Sequence, residues 1–143
     1  MLGCFFMCWK QTNLTTFCII ITSPSLDEEG AYSAYRFAQA AIASGHKITG
    51  VFFYQSGVTL ANNFQSVLSD ERNLHVLWRE FALQHKLPLQ VCVTAANRRG
   101  LLSQTESQEE SSTTGFNISP PFESVGIGEL MVQLDNSDRS IQF

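Results

Sequence analysis

Charge is scarce in this chain and nowhere concentrated. Only 15% of its 143 residues are charged, and the net charge is −4. A nucleic-acid footprint shows as a basic patch or stripe. The one adjacent basic pair, Arg98-Arg99, does not make such a surface, so no direct contact with nucleic acid is expected. Long apolar runs are missing as well. None reaches the roughly 20 residues that a membrane span needs, so no membrane is expected. The apolar stretch Met1–Trp9 lacks the basic flank and small-residue cleavage site of a signal peptide. Polar residues break it over Lys10–Thr15. Residues 1–15 are read as an N-terminal arm, flexible or added by an upstream start. Residues 16–143 are read as one domain, long enough to bury a real core.

Cysteine is sparse and its spacing is uninformative. Cys4, Cys8, Cys18 and Cys92 form no CxxC and no Cys/His pattern of a zinc site, so no metal is implied. Cys18 and Cys92 lie in apolar, strand-like runs, and nothing resembles a secreted disulfide scaffold. Free thiols in a reducing cytoplasm are expected. Phosphate cradles are lacking too. There is no GxxxxGK[ST] loop, and Gly126-Ile127-Gly128 is only a Gly-x-Gly. With no strand read before it, no third glycine and no acidic residue in place, it is not a dinucleotide fingerprint. No organic cofactor is implied.

The elements that are present alternate. Phe17–Thr22 is a β-branched run, as in a parallel strand buried on both faces. Ser23-Pro24-Ser25 ends it. Asp27-Glu28-Glu29 supplies negative charge where a helix should begin. Ala34, Phe37, Ala38, Ala41 and Ile42 then form one apolar stripe, and Gly45 is a natural stop. Ile48–Tyr54 reads as a second strand and Gln55–Asn63 as a loop. Ser69 is the expected N-cap of a helix whose apolar face is Leu74, Leu77, Trp78, Phe81 and Ala82. His75 and His85 are read as surface or helix-end residues, not ligands. Leu89–Val93 is a third strand and Ala95–Leu102 a helical turn or two. Ser103–Thr114, wholly polar, is a mobile loop or a frayed polar helix, and a lid or docking flap if it moves. Phe116–Ile118 reads as a short strand or extended edge. Glu123–Leu134 reads as a last helix with Val125, Leu130, Met131 and Leu134 inward. Ser140–Phe143 is a final strand. The sum is an α/β fold: a doubly wound parallel sheet of four to five strands, with Rossmann- or flavodoxin-like layering.

Right-handed crossovers bring the loops after Thr22, Tyr54 and Cys92 to one sheet edge, where α/β proteins build their sites. A thiol where a strand hands over to a helix sits near free backbone N–H groups and the positive end of the helix dipole. Cys92 is therefore the candidate nucleophile. A packed, inert thiol is the competing reading, since free cysteine is among the most buried residue types. Arg98 and Arg99 are candidates to stabilise an anion at its sulfur. Tyr54, Ser23 and Asn97 are candidate hydrogen-bond donors.

Three sets of residues carry a family resemblance. The first is the Ile-rich strand ending in Thr-x-Pro with Tyr35-Arg36-Phe37-Ala38-Gln39-Ala40. The second is Val51-Phe52-Phe53-Tyr54-Gln55-Ser56-Gly57-Val58. The most specific are Cys92-Val93-Thr94-Ala95-Ala96-Asn97-Arg98-Arg99-Gly100 and Asp138-Arg139-Ser140-Ile141-Gln142-Phe143. Over Phe17 to Phe143 the chain resembles the DsrE-like sulfurtransferase family, in its sulfur-relay branch. The resemblance implies a cytoplasmic sulfur carrier whose persulfide forms on Cys92. It implies TusB- and TusC-like partners in a heterohexamer, a TusA-like donor, and a TusE-like acceptor on the way to 2-thiolation of the tRNA wobble uridine. A DsrE-type subunit of a sulfur-oxidation complex is an alternative within the family. A flavodoxin-like module holding a nucleotide or flavin, and a scaffold subunit in which Cys92 is merely packed, are alternatives outside that chemistry.

Overall fold

The computed structural model describes residues 13–109 and 115–143. Most of the N-terminal arm and the end of the polar Ser103–Thr114 stretch therefore lie outside the described residues. Five strands form one wholly parallel sheet: β1 (Thr16–Ile21), β2 (Lys47–Phe53), β3 (Leu89–Cys92), β4 (Phe122–Val125) and β5 (Arg139–Gln142), in the order β4-β3-β2-β1-β5. Chain order runs one way from β1 to β4 and then returns beyond β1 to β5. With right-handed crossovers, the early helices fall on one face and the last helix on the other. Those early helices are α1 (Gly30–Ala43) and α2 (Leu74–His85), and the last is α5 (Gly128–Asp135). Two short helices, α3 (Val93–Asn97) and α4 (Gln104–Glu109), lie between β3 and β4.

Side chains of opposite parity on β2 mark the two faces. Phe53 meets Trp78 of α2 edge-on, ring centroids 6.2 Å apart. Gly50 lies under Gln133 of α5. On the first face Tyr35 of α1 packs edge-on against Trp78 and Phe81 of α2, at 5.6 and 5.5 Å. Trp78, Phe52, Phe53, Ile19 and Ile21 are fully buried. Each such side chain contributes about 1.5–3 kcal/mol relative to exposure. At the amino edge, the amide and hydroxyl of Thr16 donate to Asp138 Oδ2 at 2.9 and 2.8 Å and tie β1 to the start of β5. These bonds hold the Asp138 carboxyl below its ordinary value.

Several expectations need correction. Asn73, not Ser69, caps α2: its Oδ1 accepts from the Val76 amide at 3.1 Å. Asn73 stands directly before the apolar face, whereas Ser69 falls in a turn closed by the Glu71 amide on the Leu68 carbonyl, 3.0 Å. Gln55–Ala61 is a 3-10 helix and not an open loop, with Gly57, Val58, Leu60 and Ala61 buried. Gly57 fits there because a Cβ would run into the Ile21 carbonyl. Val93 opens α3 instead of ending β3. Of the two readings of Phe116–Ile118 the strand falls away, and Ile118 makes isolated bridges to Asn62 and Ser103.

The largest correction concerns the last helix. Phe122–Val125 is the edge strand β4, and the helix starts at Gly128. Leu130 is buried, but Met131 faces outward with 57% of its surface exposed. Gly126-Ile127-Gly128 thus does link a strand to a helix, though the third glycine of the dinucleotide pattern is still missing. Of the two readings of the polar stretch, helix holds for Gln104–Glu109. A capping box explains it: the Ser103 amide donates to Glu106 Oε2 at 2.7 Å, and the Glu106 amide donates to Ser103 Oγ at 3.4 Å.

Candidate active site

A parallel sheet puts the ends of all its strands at one edge. Phe53 is in register with Val91, so Tyr54 stands level with Cys92, and Cys92 is itself in register with Val125. Cys92 is the last residue of β3 and the N-cap of α3, with extended backbone angles of φ −62° and ψ 112°. An N-cap takes such extended angles while its carbonyl already faces the helix. A helix of five residues is short, and the influence of a helix dipole falls off within the first turn.

The thiol lines a cleft of about 440 Å³. Tyr54 and Gln55, where β2 hands over to the 3-10 helix, form one side. Thr94, Ala95, Arg98 and Arg99 form the α3 side, and Ile127 closes it from the end of β4. Among the described residues two guanidinium groups and no carboxylate line this cleft, in a chain whose net charge is −4. Cys92 retains 3% of its surface exposed, so access is through the cleft. Arg99 is tied to its own helix by a bond from Nη1 to the Ala95 carbonyl, 3.0 Å. Arg98 is exposed and has no such tether among the described residues.

The structure thus brings together Cys92, Tyr54, Arg98 and Arg99, and leaves two other candidates outside the cleft lining. The Asn97 amide nitrogen, in the orientation that satisfies its bonds, donates to the carbonyls of Val93 at 3.2 Å and Leu101 at 3.1 Å. It braces the ends of α3. Ser23 is buried, and its Oγ is turned against Gly30 of α1 without a hydrogen-bond partner. Gln55, Thr94 and Ile127 were not singled out from the sequence. Gln55 owes its place to a left-handed backbone, φ 49°, which no residue pattern there announces. Ile127 becomes visible only once β4 is seen as a strand. Thr94 lies in the cysteine-to-arginine motif and could have been taken from it.

Cys18 is the other thiol of the described core. It sits mid-strand on β1, fully buried, and burial pushes it up to about 11. Its Sγ donates to Gln133 Oε1 at 3.3 Å. The histidines play structural parts. His75 Nδ1 lies 2.8 Å from the Leu60 carbonyl and its ring stacks on Phe122 at 4.9 Å, while His85 ends α2. Among the described residues no group of three or more His, Cys, Asp or Glu is placed to hold a metal, and no helix is long and apolar enough to cross a membrane. A recess of 510 Å³ near the starts of α1 and α2 is lined by Asp27, Glu28, Glu29, Asp70 and Glu71. Arg72 there lies 3.9 Å over the Tyr32 ring. It is larger than the thiol cleft, but no cysteine among the described residues lines it.

Both the sequence and the fold have known relatives. The model of the DsrE/DsrF-like family matches residues 16–143. A protein named sulfurtransferase TusD from Proteus mirabilis is 41% identical over 128 residues, covering 90% of this chain and 98% of the relative. The protein of the same name from Serratia proteamaculans is 39% identical over 127 residues, covering 89% and 98%. The crystal structure of the ychN protein from E. coli superposes with a TM-score of 0.72 at 17% identity, covering 91% of this chain and all of that one, and shows the same fold. The cleft at the carboxyl edge is therefore set in a known frame: the chain belongs to the DsrE/DsrF-like family.

Proposed function

We propose that this chain is a sulfur-relay sulfurtransferase that carries sulfur as a persulfide on Cys92. The observation that carries the reading is the position of the thiol: at the end of β3, in a cleft walled by two arginines and, among the described residues, no acid. The relatives' shared name, sulfurtransferase TusD, supports the class of activity. In the reaction, the Cys92 thiolate attacks the outer sulfur of a donor persulfide. The donor's S–S bond breaks, its inner sulfur leaves as a thiolate with the bonding pair, and the outer sulfur stays on Cys92. An acceptor thiolate then attacks that outer sulfur, and Cys92 leaves in turn. Both steps are thiol–disulfide-type exchange, so rate follows thiolate fraction and access. Arg98 stabilises the anionic sulfur, Arg99 adds positive potential from its fixed place, and the Tyr54 hydroxyl is the hydrogen-bond donor on the facing wall. Nothing in these steps requires a metal or an organic cofactor, because the cargo is the sulfur itself.

The physiological route follows the resemblance: a TusA-like donor, TusB- and TusC-like companions, a TusE-like acceptor, and 2-thiolation of the tRNA wobble uridine in the cytoplasm. The test is direct. Cys92→Ser should fold as the parent does and accept no labelled sulfur from a persulfidated TusA-like protein. Labelled sulfur retained by that variant would remove Cys92 as the carrier. Copurification with TusB-, TusC- and TusE-like proteins checks the route separately from the thiol.

A further inference from the structure

We propose that Gln133 is a positioning residue for the Cys92 cleft. Its buried amide ties α5 to β3 and sets where Ile127, the wall contributed at the start of α5, stands against the thiol. Gln133 is one of few buried polar residues among those described, 7% exposed. Its Oε1 accepts the Cys18 thiol proton from β1, and its Nε2 donates to Gln90 Oε1 on β3. In this orientation the amide oxygen faces the weakly donating thiol of Cys18 and the amide nitrogen is left for Gln90. One side chain thereby spans three strands.

The space for it is made by Gly50 of β2. A Cβ there would lie 2.5 Å from Gln133 Nε2 and 2.7 Å from its Cδ. At the far end of α5, Ser137 Oγ donates to the Gln133 carbonyl at 2.6 Å and lies 2.6 Å from Thr49 Oγ1. Hydrophobic contact is non-directional and lets a helix slide. A buried amide with two named partners does not, because any slide leaves polar groups unpaired in the core. Gln90 and Cys92 are two residues apart on one strand and point to the same face. The strand that carries the thiol is therefore also the strand that Gln133 grips. Ile127 is six residues upstream of Gln133, and a helical residue rises only about 1.5 Å, so a shift at the amide is passed along a short, stiff lever.

The inference rests on reading Cys92 as the carrier, but its test does not depend on sulfur transfer. Native protein is alkylated with iodoacetamide, and Cys92 and Cys18 are followed separately by peptide mass spectrometry. Cys18 reports any general loosening of the core in Gln90→Met, where its own bond to Gln133 is kept. Gln90→Met removes only the link to β3, Gln133→Met removes both links, and the double variant combines them. The expected result is a several-fold change in the Cys92 rate in each single variant, with Cys18 still protected. The double variant should change no more than Gln133→Met alone, as for two ends of one interaction. A Cys92 rate unchanged in Gln90→Met, independent effects in the double variant, or Cys18 modified in step with Cys92 would each overturn the proposal. Should Gln133→Met not fold, Gln90→Met decides alone. Parent protein that alkylates at Cys92 but never accepts sulfur would instead count against the proposed function.

Discussion

Cys18 and Cys92 are two thiols in two parallel strands of one sheet, each in an apolar run, each almost removed from solvent. Their surroundings differ by height on the strand. Cys18 lies mid-strand on β1, where helices cover both faces, and its thiol donates to the Gln133 amide oxygen. Cys92 lies where β3 stops and the chain turns into α3, and the cleft opens at that place. Mid-strand burial makes a thiol inert by withholding both solvation and access. The strand end keeps the rigid support of the sheet and adds an approach path and two guanidinium groups. Residue type alone does not distinguish them; topology does.

The strongest way to break this contrast is alkylation of the native protein. Cys92 should react at least about ten times faster than Cys18, because Cys18 reacts only from an opened state that is rarely populated. Complete unfolding in urea should bring the two rates together. Equal rates in the native state would erase the distinction.

A second prediction concerns stability. Cys18→Ala leaves a small cavity and an unpaired Gln133 acceptor, at a cost of about 1–3 kcal/mol by urea denaturation. Parent stability also depends on alkaline pH through Cys18. The thiol is raised to about 11 in the folded chain, so between pH 9 and 11 the unfolded chain gives up that proton first. The contribution is intact below about pH 9 and declines as pH rises towards 11. Cys18→Ala should lack this share of the decline. An identical pH dependence in parent and variant would deny the burial that sets Cys18 apart.

The smallest effect sharpens the cleft itself. Arg98 is exposed, and exposed ion pairs contribute about 0.2–1 kcal/mol, so Arg98→Ala should slow sulfur acceptance by up to about fivefold. Raising the salt concentration should shrink the difference. Arg98→Lys should retain part of the rate, since it keeps the charge. A rate insensitive to both substitutions would place the relevant cation elsewhere.

Long periodic segments were legible in the sequence. β1, α1, β2, α2 and β3 announce themselves by β-branched runs and apolar stripes, and they bring Cys92, Tyr54 and the arginines to one edge. β4 was not legible, because a four-residue strand, Phe122–Val125, is too short to show a period and merges with the helix behind it. Ile127 was lost with it. Gln55 depends on a backbone angle and Gln133 on a partner 43 residues away, and neither is a local property. The Ser103–Glu106 capping box was written in the sequence as Ser-x-x-Glu, but the surrounding polar run obscured it.

The most direct measurement is the position of the transferred sulfur. The parent chain is incubated with a persulfidated donor protein, digested without reductant, and each cysteine peptide is weighed. The account predicts one added sulfur atom on the Cys92 peptide and none on the Cys18 peptide. Added sulfur on Cys18, Cys4 or Cys8 with Cys92 unmodified would contradict it.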